Sequence, residues 1–65
     1  MIIINGREEH GAAGRSLLSY VETEGYRFDR VAVEINGDIV PKQAYAERAL
    51  ADGDRVEIVH FMGGG

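Results

Sequence analysis

Val31-Ala32-Val33-Glu34-Ile35-Asn36-Gly37-Asp38-Ile39-Val40-Pro41 is the stretch that decides the fold. Val31, Val33 and Ile35 alternate with Ala32 and Glu34, which is the period of a half-buried strand. Asn36-Gly37 follows at once. A type I′ turn needs positive φ at both of its central residues, and Asn-Gly meets that need best. Asp38-Ile39-Val40 returns as the second strand. Pro41 ends it, because proline has no N–H to give to a ladder.

Upstream of this hairpin, Met1-Ile2-Ile3-Ile4 is β-branched and bounded by Asn5-Gly6, so it reads as a strand starting at the first residue. Its apolar residues fall on both parities, as in a central strand or one that keeps a face for a partner. Asn5-Gly6 is a second two-residue turn signal. Arg7 to Ala12 then returns as an edge strand whose charges resist aggregation. Ser16 is placed to cap a helix, since its hydroxyl can accept from an exposed backbone N–H. Leu17, Leu18 and Val21 follow at helical spacing. Glu22 and Glu24 sit at the wrong end for the helix dipole, so this short helix depends on packing. Gly25 is a natural stop. Tyr26 and Phe28 come next, in a loop expected to cover the bottom of the core.

Downstream, Gln43 to Ala49 reads as a helical turn or short 3₁₀ segment, with Tyr45 and Leu50 as anchors. Asp52-Gly53-Asp54 is a turn by composition. In Arg55 to Met62, the last strand, Val56 and Ile58 share a face with His60, and Glu57, Val59 and Phe61 take the other. Segregated strands around one helix argue an α+β domain. If the first and last strands are neighbours they run parallel. This is the β-grasp (ubiquitin-like) arrangement: a mixed sheet of four to five strands on one main helix. Residues 1–62 form the domain and residues 63–65 a glycine tail.

The chain has 65 residues, no cysteine and a net charge of −4, with 11 acidic residues against 7 basic. One small core must supply the stability, without disulfides or zinc-thiolate clusters. Nucleic acid is disfavoured as a partner, because phosphate binding needs a basic face. A protein with a basic rim suits the charge better. The longest apolar run is Met1 to Ile4, so neither a membrane span nor a signal peptide is expected, and the cytoplasm is the expected location. His10 and His60 lie far apart without a cysteine, so no metal site is expected. Ser16 and Ser19 lack a nearby base. Gly11 to Ser16 lacks the lysine and spacing of a phosphate loop, so the chain should not bind ATP itself. Calcium at Asp52-Gly53-Asp54 is disfavoured for want of further ligands.

Met62-Gly63-Gly64-Gly65 closes the sequence. Without Cβ atoms, such a tail is thin, and three to four extended residues reach roughly 10–14 Å. It could thread a narrow slot and present a terminal carboxylate there. A frayed end is the alternative. Ile3, Val59 and Phe61, with Met62, are candidates for an apolar partner surface on the sheet face away from the helix. A covering loop or the segment 43–49 is the competing expectation.

Ile35-Asn36-Gly37-Asp38-Ile39-Val40-Pro41-Lys42, Ala51 to Ile58 and the closing glycines together resemble the ThiS family, the ubiquitin-like sulfur carriers of thiamin biosynthesis. The resemblance covers nearly the whole chain, including Ala12-Ala13-Gly14 before the helix. It implies a carrier, not an enzyme. A partner adenylyltransferase related to ubiquitin-activating proteins would use ATP to adenylate the Gly65 carboxylate. A persulfide donor would supply sulfur, displacing AMP and leaving a thiocarboxylate. Thiazole synthase would then take that sulfur. Gly63 and Gly64 would form the arm. The third glycine departs from the two that the motif requires, and removal of a residue would move the active end to Gly64. A carrier for molybdopterin or tRNA thiolation, a ubiquitin-like modifier and an inert-tailed interaction domain remain as alternatives.

Overall fold

Two Asn-Gly turns fold the two ends of the sheet. In the computed structural model, which describes residues 1–61, Asn36 and Gly37 take φ values of 54° and 89°. Asn5 and Gly6 take 50° and 80°. Positive φ at both centres gives each turn a twist that matches its strands. The first turn joins β1 (Ile2–Ile4) to β2 (Arg7–Glu9), and the second joins β3 (Val31–Ile35) to β4 (Asp38–Ile39). The last strand, β5 (Arg55–His60), lies between β1 and β3 in a five-stranded sheet of order β2-β1-β5-β3-β4. β5 runs parallel to β1, with Ile3 beside Arg55, and antiparallel to β3, with Val33 beside Ile58. A mixed sheet gripping one helix is the β-grasp fold.

The helix α1 spans Leu17–Thr23. Ser16 Oγ accepts from Ser19 N at 3.0 Å, satisfying one of the N–H groups that a helix start leaves bare. Gly25 ends the run at a φ of 83°. Leu17, Tyr20 and Val21 are buried on one face of α1. They meet Ile2, Ile4, Val31, Val33, Ile35, Val56 and Ile58 from the sheet, with Tyr45 and Leu50 completing the core. Each such aliphatic side chain stabilises by roughly 1.5–3 kcal/mol when fully buried. Tyr20 was not among the expected core residues. Its hydroxyl donates to Glu9 Oε1 at 3.1 Å, which ties α1 to the edge strand.

Other departures have local causes. β1 begins at Ile2, not Met1. β2 stops at Glu9, short of Ala12, because Gly11 turns the chain at a φ of 86° and Ala12 drops into the core. Phe28 belongs to a 3₁₀ turn, Phe28–Arg30, and its ring meets Tyr45 edge-on at 5.3 Å. β4 ends at Ile39, although Val40 N still donates to Val33 O. The 3₁₀ turn near Tyr45 covers only Lys42–Ala44.

Polar side chains pin β5 where the backbone ladders run out. Ile58 N donates to Asn5 Oδ1 at 2.7 Å. Arg55 N donates to Asn36 Oδ1 at 2.9 Å, and Asn36 Nδ2 donates to Asp54 Oδ1 at 3.0 Å. The same buried carboxylate accepts from Ala51 N at 2.9 Å and pairs with Arg48 at 3.2 Å. Burial works to raise the Asp54 pKa. The Ala51 N–H, the Asn36 amide and Arg48 outweigh it, so the carboxyl lies below its ordinary 3.8.

Asn36 therefore serves both as a turn residue and as a bridge. Asn36→Gly keeps the turn and loses the side-chain bonds, so it should cost about 1–2 kcal/mol. Asn36→Ala also strains the positive φ and should cost about 1 kcal/mol more. Urea unfolding of the two variants at neutral pH checks that order.

Asp54 gives a pH signature. Its folded pKa is depressed, so its contribution is complete above 3.8, the unfolded value, and is lost as pH falls through the lower folded value. Asp54→Asn should be less stable than the parent near pH 7, with the gap narrowing as the pH drops below 3.8. Urea midpoints measured across that range check it.

Candidate functional site

Alternation along β5 separates its two faces. Val56 and Ile58 enter the core, whereas Arg55, Glu57 and Val59 are exposed on the opposite side. Phe61 continues the exposed parity, and its N–H donates to Arg30 O at 2.7 Å, extending the β3–β5 pairing one step beyond the strand. Val59 is 56% exposed and Phe61 52%. Ala32 lies opposite Val59 and is half-buried. The sheet thus presents a small apolar strip immediately before Met62-Gly63-Gly64-Gly65 in sequence. Those four residues, named above as tail and partner surface, lie outside the described residues.

Ile3 does not join that strip. It is half-buried and sits beside Arg55 on one side and Glu8 on the other. Four residues of β5 separate its register from Val59, roughly 13 Å along a strand. Val59 and Phe61 are each more than half exposed, so among the described residues the competing expectation of a cover over these two is not met.

Other chemistry-bearing residues are occupied in holding the fold. Asp52 pairs with the ammonium group of Met1, and Asp54 is enclosed as described. His60, half-buried at the rim, meets Tyr26 with the ring centroids 5.8 Å apart and the planes tilted by 52°. A shallow polar cleft of about 290 Å³ lies between β2 and α1, lined by Arg7, Glu9, Tyr20, Glu24 and Tyr26 among others. Burial and then the Glu9 carboxylate push the Tyr20 hydroxyl up from its usual 10.0, so it remains a donor rather than a base. Among the described residues no group of three or more His, Cys, Asp or Glu could hold a metal, and no helix is long and apolar enough to cross a membrane.

A five-stranded mixed sheet on one helix, with an exposed strip on the last strand and glycines following in sequence, puts the chain in the class of small β-grasp domains. Within that class, the model of the ThiS family matches residues 2–65, and the chain belongs to this family. It is 30% identical to the sulfur carrier protein ThiS of Escherichia coli over 64 residues, covering 98% of this chain and 97% of that one. A crystal structure of a thiamine biosynthesis protein (ThiS) from Geobacter metallireducens superposes with a TM-score of 0.76 at 30% identity, covering 98% of this chain and 97% of that chain. Over 64 residues the chain is also 44% identical to a thiazole synthase of Paramagnetospirillum magneticum, covering 98% of this chain but only 20% of that protein's length.

Sequence reasoning set Val59 and Phe61 on the exposed face of β5 but missed the asparagine pins and the burial of Asp54. An acid in an Asp-Gly-Asp turn reads as solvated, because isolated buried carboxylates are rare. The pairing of Asn36 with β5 joins residues distant in sequence, which no local pattern announces.

If Val59 and Phe61 are surface residues, charging them should leave the fold alone. Val59→Glu and Phe61→Glu should each change unfolding free energy by no more than about 0.5 kcal/mol. Chemical denaturation measures this, and a loss typical of core truncation would place either side chain inside.

Proposed function

We propose that the chain is a sulfur carrier for thiazole formation in thiamin biosynthesis, with Gly65 as the residue that bears sulfur. The family match over residues 2–65 is the observation that carries the reading. It reaches into the glycine segment, as a carrier whose arm matters requires. The match to a thiazole synthase favours that enzyme as the client over one for molybdopterin or tRNA.

The chemistry follows from what the chain lacks. There is no cysteine, so no side-chain thiol can hold sulfur. A carboxylate is a poor electrophile and must first be activated. Attack of the Gly65 carboxylate on the α-phosphorus of ATP gives an acyl adenylate and releases pyrophosphate. A persulfide sulfur then attacks the acyl carbon and AMP leaves. Thiol cleavage of the resulting sulfur–sulfur bond gives the thiocarboxylate and a disulfide. ATP is the partner's cofactor in this scheme, and the carrier binds none. The adenylyltransferase positions the ends and stabilises charge. The carrier supplies a narrow reach, Gly63 and Gly64, and a docking strip, Val59, Phe61 and Met62. A reducing, cytoplasmic setting fits this chemistry.

Gly64→Ala places a Cβ where an enzyme channel would close on the backbone. With the cognate adenylyltransferase, ATP–pyrophosphate exchange should fall by about tenfold or more, with urea stability unchanged. Full exchange activity would remove the narrow slot from the scheme.

A further inference from the structure

The chain holds two asparagines, Asn5 and Asn36, and glycine follows each of them. Glycine has no Cβ to obstruct its own nitrogen, so an asparagine before it is open to intramolecular attack. Both pairs are exposed. Their backbones match, with φ of 50° and 80° at Asn5 and Gly6 and of 54° and 89° at Asn36 and Gly37. Nothing lies within 4 Å of where a Cβ would stand on either glycine. What differs is the hold on the side-chain amide. Asn36 is held at both ends: Oδ1 accepts from Arg55 N at 2.9 Å, and Nδ2 donates to Asp54 Oδ1 at 3.0 Å. Asp54 is itself buried and fixed by Ala51 N and Arg48. Asn5 is held at one end. Its Oδ1 accepts from Ile58 N at 2.7 Å, and among the described residues its Nδ2 donates to no group.

We infer that Asn5 is the site at which the folded chain deamidates, and that the Asp54 carboxylate shields Asn36 from the same reaction. The Gly6 nitrogen gives its proton to solvent and attacks Cγ of Asn5. The amide nitrogen takes up a proton and leaves as ammonia, closing a succinimide ring. Water then opens the ring. Cleavage at Cγ gives aspartate at position 5, and cleavage at the main-chain carbonyl gives isoaspartate. One water is consumed and one ammonia released, with no oxidant or reductant. Ring closure requires the amide to rotate away from its partners. Asn5 gives up one bond to a backbone N–H, whereas Asn36 gives up a bond of that kind and a second one to an ionised carboxylate. Bonds to ionised groups are the stronger class, so the second hold slows Asn36 by about tenfold. The two products differ in effect. Aspartate keeps an acceptor for Ile58 N. Isoaspartate adds a carbon to the main chain of a two-residue turn and draws the acceptor away, loosening β5 where Asn5 had pinned it.

The folded chain is incubated in mildly alkaline buffer beside a sample held unfolded in urea. Peptide mapping by mass spectrometry follows the conversion of amide to carboxyl at each asparagine. In the folded sample Asn5 should convert about tenfold faster than Asn36, and in urea the two rates should converge. Asp54→Ala removes the shield, so in the folded variant Asn36 should speed up by about tenfold while Asn5 keeps the parent rate. Should that variant unfold, the ratio in the parent decides alone. Equal rates in the folded parent, a faster Asn36, or an Asn36 rate that a folded Asp54→Ala leaves unchanged overturns the inference. The isoaspartyl form, separated from the aspartyl form after incubation, should have a lower urea midpoint than Asn5→Asp. Equal midpoints would overturn the consequence for β5. None of these outcomes depends on the carrier reading.

Discussion

The structure depends on how β5 is held. It is the last strand in sequence, yet it occupies the middle of the sheet, with a parallel neighbour on one side and an antiparallel one on the other. Its backbone ladder with β1 is short, since β1 ends at Ile4. Asn5 Oδ1 takes over by accepting from Ile58 N, and Asn36 Oδ1 does the same for Arg55 N on the other side. Both asparagines stand at positive φ in their turns. One residue type thus makes each turn and fastens it to the central strand. Left unpaired, the part-buried Ile58 N–H would carry a penalty approaching that of a lost hydrogen bond, and the exposed Arg55 N–H a smaller one.

Fastening β5 has a functional consequence. The strand leads in sequence into Phe61-Met62-Gly63-Gly64-Gly65, so its rigidity fixes the origin of that segment. Division of labour follows along one strand. Val56 and Ile58 bind it to α1 and the core, whereas Glu57, Val59 and Phe61 are exposed on the outer face, where the proposed function puts a partner. A carrier of this size has little surface to spare, and a two-faced central strand lets stability and recognition share the same residues' backbone without sharing side chains.

Much of this was legible in the sequence. Strict alternation from Val31 to Ile35 and the two Asn-Gly pairs located both hairpins, and Ser16 and Gly25 bounded the helix. Tyr45 and Leu50 were recognisable as anchors because large apolar side chains stood out in an alanine-rich segment. Alternation in β5 also separated Val59 and Phe61 from the core. Ile3 was grouped with Val59 and Phe61 but lies beside Arg55, because a run of three isoleucines has no polarity contrast and its neighbours depend on register. The roles of Asp54, Arg48 and Asn36 were hidden for a related reason. They arise where segments distant in sequence meet, and the residue types involved are ordinary turn and surface residues elsewhere. Tyr20 escaped because aromatic residues near a helix middle serve equally as rim or core, and only the approach of β2 and Glu9 decides it.

Central to the functional reading is that the chain's reactive group is its own main-chain carboxylate, loaded by another protein. The most direct measurement is intact mass spectrometry of the chain after incubation with the cognate adenylyltransferase, ATP and a persulfide donor, followed by addition of thiazole synthase. The expected result is replacement of one oxygen by sulfur, mapped to Gly65 and reversed when the synthase and its substrates are added. An unchanged mass with all donors present, or attachment of the chain to lysines of other proteins instead, would contradict it.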